Sequence, residues 1–129
     1  KKDKFEIVTT VIGRACEEEE VDEYLYPARN VYTLYVGGMG AKSKNFYYNL
    51  FCEYGYADIA DELQNLYLSG NKKESEKMFP KELLEELTLV GTKKDIEKKI
   101  EKWKESNVTE ISLSLPIDFN TVKFIKELL

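Results

Sequence analysis

The chain has 129 residues, 43% of them apolar and 33% charged, with a formal net charge of −5. That length and balance suit one ordinary globular domain with a real core, and the acidic balance leaves no basic footprint for nucleic acid and little attraction to an anionic membrane. No apolar run nears the ~20 residues of a bilayer span, and the start Lys1-Lys2-Asp3-Lys4 lacks the apolar segment of a signal peptide.

Phe5 to Ile12 is rich in β-branched residues, ends at Gly13 and reads as a strand. Its apolar residues fall on both parities, which predicts a strand covered on both faces, as in a parallel sheet. Cys16 to Val36 reads as a helix with Glu17, Glu18, Glu19 and Glu20 in its first turns, where negative charge complements the helix dipole. That glutamate run reads as a solvated face and not as a metal or acid–base cluster. Val21, Leu25, Ala28, Tyr32 and Tyr35 make one apolar stripe, and Pro27 predicts a kink or a second helix start.

A second helix is predicted from Ser43 to Tyr54, with Phe46, Leu50, Phe51 and Tyr54 on one side and Gly55 ending it. A third runs from Ala57 to Leu68, with Ile59, Leu63, Leu66 and Tyr67 facing inward, and stops at Ser69-Gly70-Asn71. Lys73 to Met78 is a short charged helix broken by Pro80, and Lys81 to Glu86 forms a further helical turn.

Leu87 to Val90 is a short apolar strand, turned by Gly91. Thr92 is the expected N-cap of the next helix, with Asp95 as its capping-box partner. That helix, Lys93 to Glu105, carries Ile96, Ile100 and Trp103 as a core stripe. Glu110 to Leu115 alternates as a strand closed by Pro116, and Asn120 or Thr121 caps a last helix that buries Val122, Ile125 and Leu128 or Leu129. The order β, several α, β, α, β, α predicts an α/β fold of about three parallel strands, with a helical insertion between the first and second. No linker or repeat interrupts it, so residues 1–129 read as a single domain.

The chain contains no histidine, which excludes Ser-His and Cys-His nucleophile pairs and His-ligated metals. Cys16 and Cys52 are far apart and read as buried reduced thiols of a cytoplasmic protein. In parallel α/β folds ligands bind at the carboxyl ends of strands, here Gly13-Arg14, Gly91-Thr92 and Pro116-Ile117. Gly91-Thr92 opens a helix, so its exposed N–H groups read either as a phosphate seat or as a plain cap. Arg14 reads either as a fork for an anion or as a salt-bridge partner. Gly37, Gly38 and Gly40, followed by Lys42 and Lys44, read either as a helix C-cap with a solvated turn or as a turn that holds an anion.

The run Gly37-Gly38-Met39-Gly40-Ala41-Lys42-Ser43-Lys44-Asn45-Phe46-Tyr47, with Glu53-Tyr54-Gly55-Tyr56, resembles the C-terminal region of luciferase-like oxidoreductases. Within that superfamily it is most similar to the class that uses the deazaflavin coenzyme F420. Leu87 to Asp95 resembles the family's late strand and following helix, and Gly70 to Pro80 resembles the link between them. The resemblance spans Phe5 to Pro116. It implies the C-terminal portion of a (β/α)₈ barrel, a fold of eight strands and about 250 residues, and hydride transfer between the deazaflavin and a small organic substrate. It further implies cofactor contacts at Gly37 and Gly38 and substrate or anion contacts at Lys42 and Lys44, to which the strand ends add Gly91 and Thr92 as candidate cofactor contacts and Arg14 as a candidate substrate or anion contact. The expected partners are a small-molecule substrate and a second copy of the chain. An FMN-dependent monooxygenase of the same superfamily and a non-catalytic α/β interaction module are the alternatives. This chain by itself is expected to be inactive.

Overall fold

A computed structural model of the chain describes residues 5–114 and 118–129. The predicted strand residue Leu115 and the strand end Pro116-Ile117 lie outside the described residues, as do Lys1 to Lys4. The backbone packs as two compact units, one made of Lys1–Leu25 with Glu85–Leu129 and the other of Tyr26–Leu84.

The first unit holds a three-stranded parallel sheet of β1 (Val8–Ala15), β2 (Leu89–Gly91) and β3 (Glu110–Ser114). Its order is β2-β1-β3. Gly13 pairs with Leu89 on one side of β1, and Val8 pairs with Glu110 on the other. The α/β class, the parallel strands and the helical insertion between the first two strands are therefore present. The placement of β1 in the middle was not foreseen. Strands along a barrel arc lie beside their chain neighbours, whereas a 2-1-3 order is that of a doubly wound sheet.

Helices α6 (Lys93–Lys104) and α7 (Phe119–Leu128) cover one face of this sheet. Val11, Leu89, Ile96, Ile100 and Ile125 form the core there, with Trp103, Ile111 and Leu113 packed against it. The spacing of Ile96 and Ile100 on α6 puts both on one side of a 3.6-residue helix, which is why they meet the sheet together. Val122, expected inside, is exposed. The cap of α7 is Asp118, not Asn120 or Thr121: its carboxylate accepts the Thr121 N–H at 3.0 Å. A carboxylate three residues ahead of that amide is the usual N-cap geometry, and it places Asn120 and Thr121 inside the first turn.

The outer edge of β2 is covered by a side chain. The Gly91 carbonyl accepts the Cys16 N–H at 3.0 Å, on the β1 side. Successive carbonyls of a strand alternate in direction, so that of Val90 points away from β1, and the Lys99 ammonium donates to it at 3.0 Å. Burial holds the Lys99 pKa below the ordinary lysine value, with nearby Glu85, Asp95 and Glu86 opposing that shift.

The second unit holds most of α1 (Val21–Gly38), α2 (Phe46–Phe51), α3 (Ala57–Leu68), α4 (Lys72–Met78) and most of α5 (Lys81–Glu86). Helix α1 starts later than expected because Glu18–Glu20 form a separate 3-10 turn, in which the Glu17 N–H donates to the Glu20 carboxylate at 3.0 Å. It then runs through Pro27 to Gly38. The expected second helix is interrupted after Phe51 by a wide π-type turn, Cys52–Tyr56, where Gly55 takes φ 96°. Phe46 and Tyr54 are exposed, and Phe51 is the buried ring, stacked on Tyr56 and tilted against Phe79. The Arg29 guanidinium donates to the carbonyls of Glu76 (3.1 Å) and Phe79 (2.7 Å), satisfying the carboxyl end of α4.

Candidate functional site

Three segments converge at the carboxyl end of the sheet: the end of β1, the turn from β2 into α6, and the start of α7. They enclose an open cleft of about 810 Å³. Arg14, Cys16, Thr92, Lys93, Lys94, Asp118 and Lys123 are among its lining residues.

Each helix entering the cleft is capped by its own sequence. Thr92 Oγ1 accepts the Asp95 N–H at 3.3 Å and donates to the Asp95 carboxylate at 2.5 Å. This departs from the expected capping box, because the short Asp95 side chain receives the Thr92 hydroxyl. That hydrogen bond is the main cause of an Asp95 pKa below the ordinary aspartate value. Gly91 is needed for the turn: its φ of 150° is unfavourable for other residues, and an added Cβ would lie 3.2 Å from Asp95 Cβ.

Asp118 gathers more partners. The Thr121 hydroxyl donates to Asp118 Oδ2, and Thr121 Oγ1 itself accepts the Ala15 N–H at 3.0 Å. Arg14 Nη1 lies 2.8 Å from Asp118 Oδ2, with about a quarter of each side chain exposed. The Asp118 pKa is lowered, chiefly by the Thr121 hydroxyl, with a further contribution from Arg14. The Arg14 guanidinium also donates to the Tyr24 hydroxyl at 3.3 Å and stacks over that ring at 4.6 Å. Its Nε is buried with no hydrogen-bond partner among the described residues. The chain Ala15–Thr121–Asp118–Arg14–Tyr24 therefore ties the end of β1 to the start of α7.

Cys16 also lines the cleft. Burial, and next the Glu20 charge, push its pKa above the ordinary thiol value, and its Sγ lies 3.8 Å from the Gly91 carbonyl. Such a thiol is protonated at neutral pH and is a poor nucleophile. No cluster of three or more Cys, Asp or Glu side chains suited to a metal ion occurs among the described residues.

The structure thus brings Arg14, Gly91 and Thr92 together, as strand-end reasoning expected. Asp118, Thr121 and Tyr24 were missed. Asp118 stands two residues after Pro116 and three before Thr121, a signal that an N-cap search includes. Tyr24 carried no signal, since its role depends on the fold.

Gly37, Gly38, Lys42 and Lys44 belong to the helical unit. Gly37 and Gly38 end α1, and a Cβ at either would meet the Tyr67 side chain at 2.6 or 2.5 Å. Close helix packing accounts for both. The Lys42 ammonium donates to Asn65 Oδ1 at 2.8 Å, and Lys44 is exposed. Asn45, passed over in the sequence, organises this turn. Its amide donates to the Tyr35 and Val36 carbonyls at 2.9 Å each, and its oxygen accepts the Tyr47 and Tyr48 N–H groups.

The described residues contain no helix long and apolar enough to cross a membrane. No protein-family model matches the chain, and no solved structure matches it. The chain is 36% identical over 76 residues to a protein of Mycobacterium tuberculosis (strain ATCC 25618 / H37Rv) that bears the name "Putative coenzyme F420-dependent oxidoreductase". The matched stretch is 59% of this chain and 22% of that protein, so the chain spans about a fifth of the length of this relative.

Proposed function

We propose that the chain is the C-terminal part of a coenzyme F420-dependent, luciferase-like oxidoreductase. The observation that carries this reading is the 36% identity over 76 residues with a protein whose name is that of a coenzyme F420-dependent oxidoreductase; the luciferase-like part rests on the resemblance of the Gly37–Tyr47 run. The cleft at the carboxyl end of the sheet supports it. Arg14, Lys93, Lys94 and Lys123 line it, together with the acidic Glu17, Asp118 and Glu127.

These residues fit the phosphate-bearing tail of such a cofactor better than its ring, because charged side chains dominate the lining. Arg14 and the start of α6 at Gly91-Thr92 would hold the tail. The bound deazaflavin would supply hydride donation and acceptance to a small organic substrate. The residues of this chain would orient the cofactor and neutralise its charge. On this reading the chain supplies the C-terminal α/β portion of the whole enzyme, and its β2-β1-β3 order is the one feature that a (β/α)₈ barrel does not share. Lys42 and Lys44 would contact solvent-side anions, and the active protein would act in the cytoplasm as a homo-oligomer.

The test is titration of the deazaflavin into the purified protein, followed by cofactor fluorescence, with FMN in parallel. Saturable binding of the deazaflavin that is weakened by Arg14→Gln is expected. Binding of FMN alone would transfer the reading to the monooxygenases of the superfamily. Binding of neither would remove the cleft of this chain as a cofactor seat.

A further inference from the structure

We infer that Asp118 is a built-in competitor for the anion seat of the cleft: its carboxylate holds Arg14 until an incoming phosphate takes the guanidinium from it. The inference rests on the reading of the cleft as an anion site and adds how that site is regulated.

Three observations carry it. First, Arg14 Nη1 lies 2.8 Å from Asp118 Oδ2, and both residues line the same cleft. The ion pair is partly exposed, so a ligand entering from solvent reaches both partners. Second, Asp118 does not depend on Arg14 for its position. The Thr121 hydroxyl and the Thr121 N–H both donate to it, and Thr121 is fixed in turn by the Ala15 N–H. When Arg14 turns to a ligand, Asp118 keeps two donors and stays at the cap of α7. Third, Arg14 is held by more than Asp118. Its guanidinium stacks over the Tyr24 ring and donates to the Tyr24 hydroxyl. The fork therefore stays in the cleft with or without the aspartate, and the carboxylate is not what positions it.

Two opposed effects are possible for a carboxylate beside a ligand-binding arginine. It can orient the arginine, in which case removing it weakens the ligand. It can occupy the arginine, in which case removing it strengthens the ligand. The Tyr24 stack performs the orienting here, so occupation is the effect that remains. A partly exposed ion pair is a modest barrier, and a doubly charged phosphate, which also makes strong charge-assisted bonds to a guanidinium fork, competes with the singly charged carboxylate for it.

The experiment is isothermal titration of inorganic phosphate into the purified protein and into Asp118→Asn, Asp118→Ser and Arg14→Gln, at one fixed salt concentration. Asparagine and serine both keep the N-cap of α7, so at least one neutral variant with an intact fold is available. The expected result is affinity about twofold to fivefold tighter in the neutral variants, the worth of one partly exposed ion pair, and loss of binding in Arg14→Gln. Equal or weaker binding in the neutral variants overturns the inference and makes Asp118 a positioning residue. Absence of phosphate binding in every protein also overturns it. Deazaflavin binding that is insensitive to Arg14→Gln would remove this inference while leaving the oxidoreductase reading standing.

Discussion

The Tyr67 side chain fills the space that a side chain at Gly37 would need. A Cβ there would lie 2.6 Å from both Cβ and Cγ of Tyr67. Glycine at the end of α1 thus lets α3 approach the α1 backbone directly. Two effects compete in Gly37→Ala. Alanine gains about 1 kcal/mol of helix propensity over glycine, while overpacking costs about 1–3 kcal/mol. The contact is far inside van der Waals distance, and the atoms met include a side-chain root that cannot swing away, so the clash wins. Urea unfolding should show a net loss for Gly37→Ala. An unchanged or higher midpoint would show that α3 yields at no cost.

Asn45 should be the more sensitive position of the same turn. It is buried and makes four hydrogen bonds, two to the carboxyl end of α1 and two to the amino end of α2. Asn45→Ala loses the cap and the amide donor to the Tyr35 carbonyl, while the Val36 carbonyl keeps only the longer bond from the Gln64 amide at 3.4 Å, a combined cost of about 2–4 kcal/mol. Asn45→Asp keeps the cap but brings an acceptor against two carbonyls, so it should also destabilise. Thermal unfolding of the three proteins decides this. Asn45→Asp as stable as the parent would mean the α1 carbonyls find other donors.

The helices were legible where local signals sufficed. Ala57–Leu68 was read at its observed bounds from apolar spacing and the Ser69-Gly70-Asn71 stop, and the start of α6 from Thr92 and Asp95. The strands were legible in kind but not in extent. β1 runs from Val8 to Ala15, not from Phe5 to Ile12, because its pairing with β3 begins at Val8 and its pairing with β2 occupies Gly13 to Ala15. No local propensity records where a partner strand lies. The same limit hid the β2-β1-β3 order and the Arg14–Tyr24 stack. The glycine run read either as a helix cap or as an anion-holding turn, and no local signal showed that Tyr67, thirty residues on, packs against Gly37 and Gly38.

Acid should destabilise the sheet unit through Asp95 and Asp118. Both have folded pKa values below the ordinary aspartate value, each chiefly because a threonine hydroxyl donates to the carboxylate. A lowered folded pKa contributes stability that is present above the unfolded value, about 3.9, and is lost as pH falls through the folded one. Unfolding midpoints should therefore drop as pH falls from about 5 toward 2. Asp95→Asn with Asp118→Asn should flatten that drop while lowering stability at pH 7. An equally steep acid limb in the double variant would assign it to other carboxylates.

Cys16 should alkylate slowly, and a ligand in the cleft should slow it further. Burial is the larger reason that its thiol pKa is raised, and the Glu20 charge adds to it. The thiolate is the reacting species, and a free cysteine has a pKa of about 8.5. The iodoacetamide rate at Cys16, read by peptide mass with Cys52→Ser as background, should rise with a midpoint above that value. Glu20→Gln should bring the midpoint down, because a charge that opposes the thiolate is removed. Since Cys16 and Arg14 line one cleft, phosphate held by Arg14 should protect the thiol, and Arg14→Gln should abolish the protection. A midpoint at or below that of free cysteine would mean the thiol is more exposed than its contacts with β2 imply. Protection that persists in Arg14→Gln would place the anion elsewhere in the cleft, on the lysines of α6 and α7.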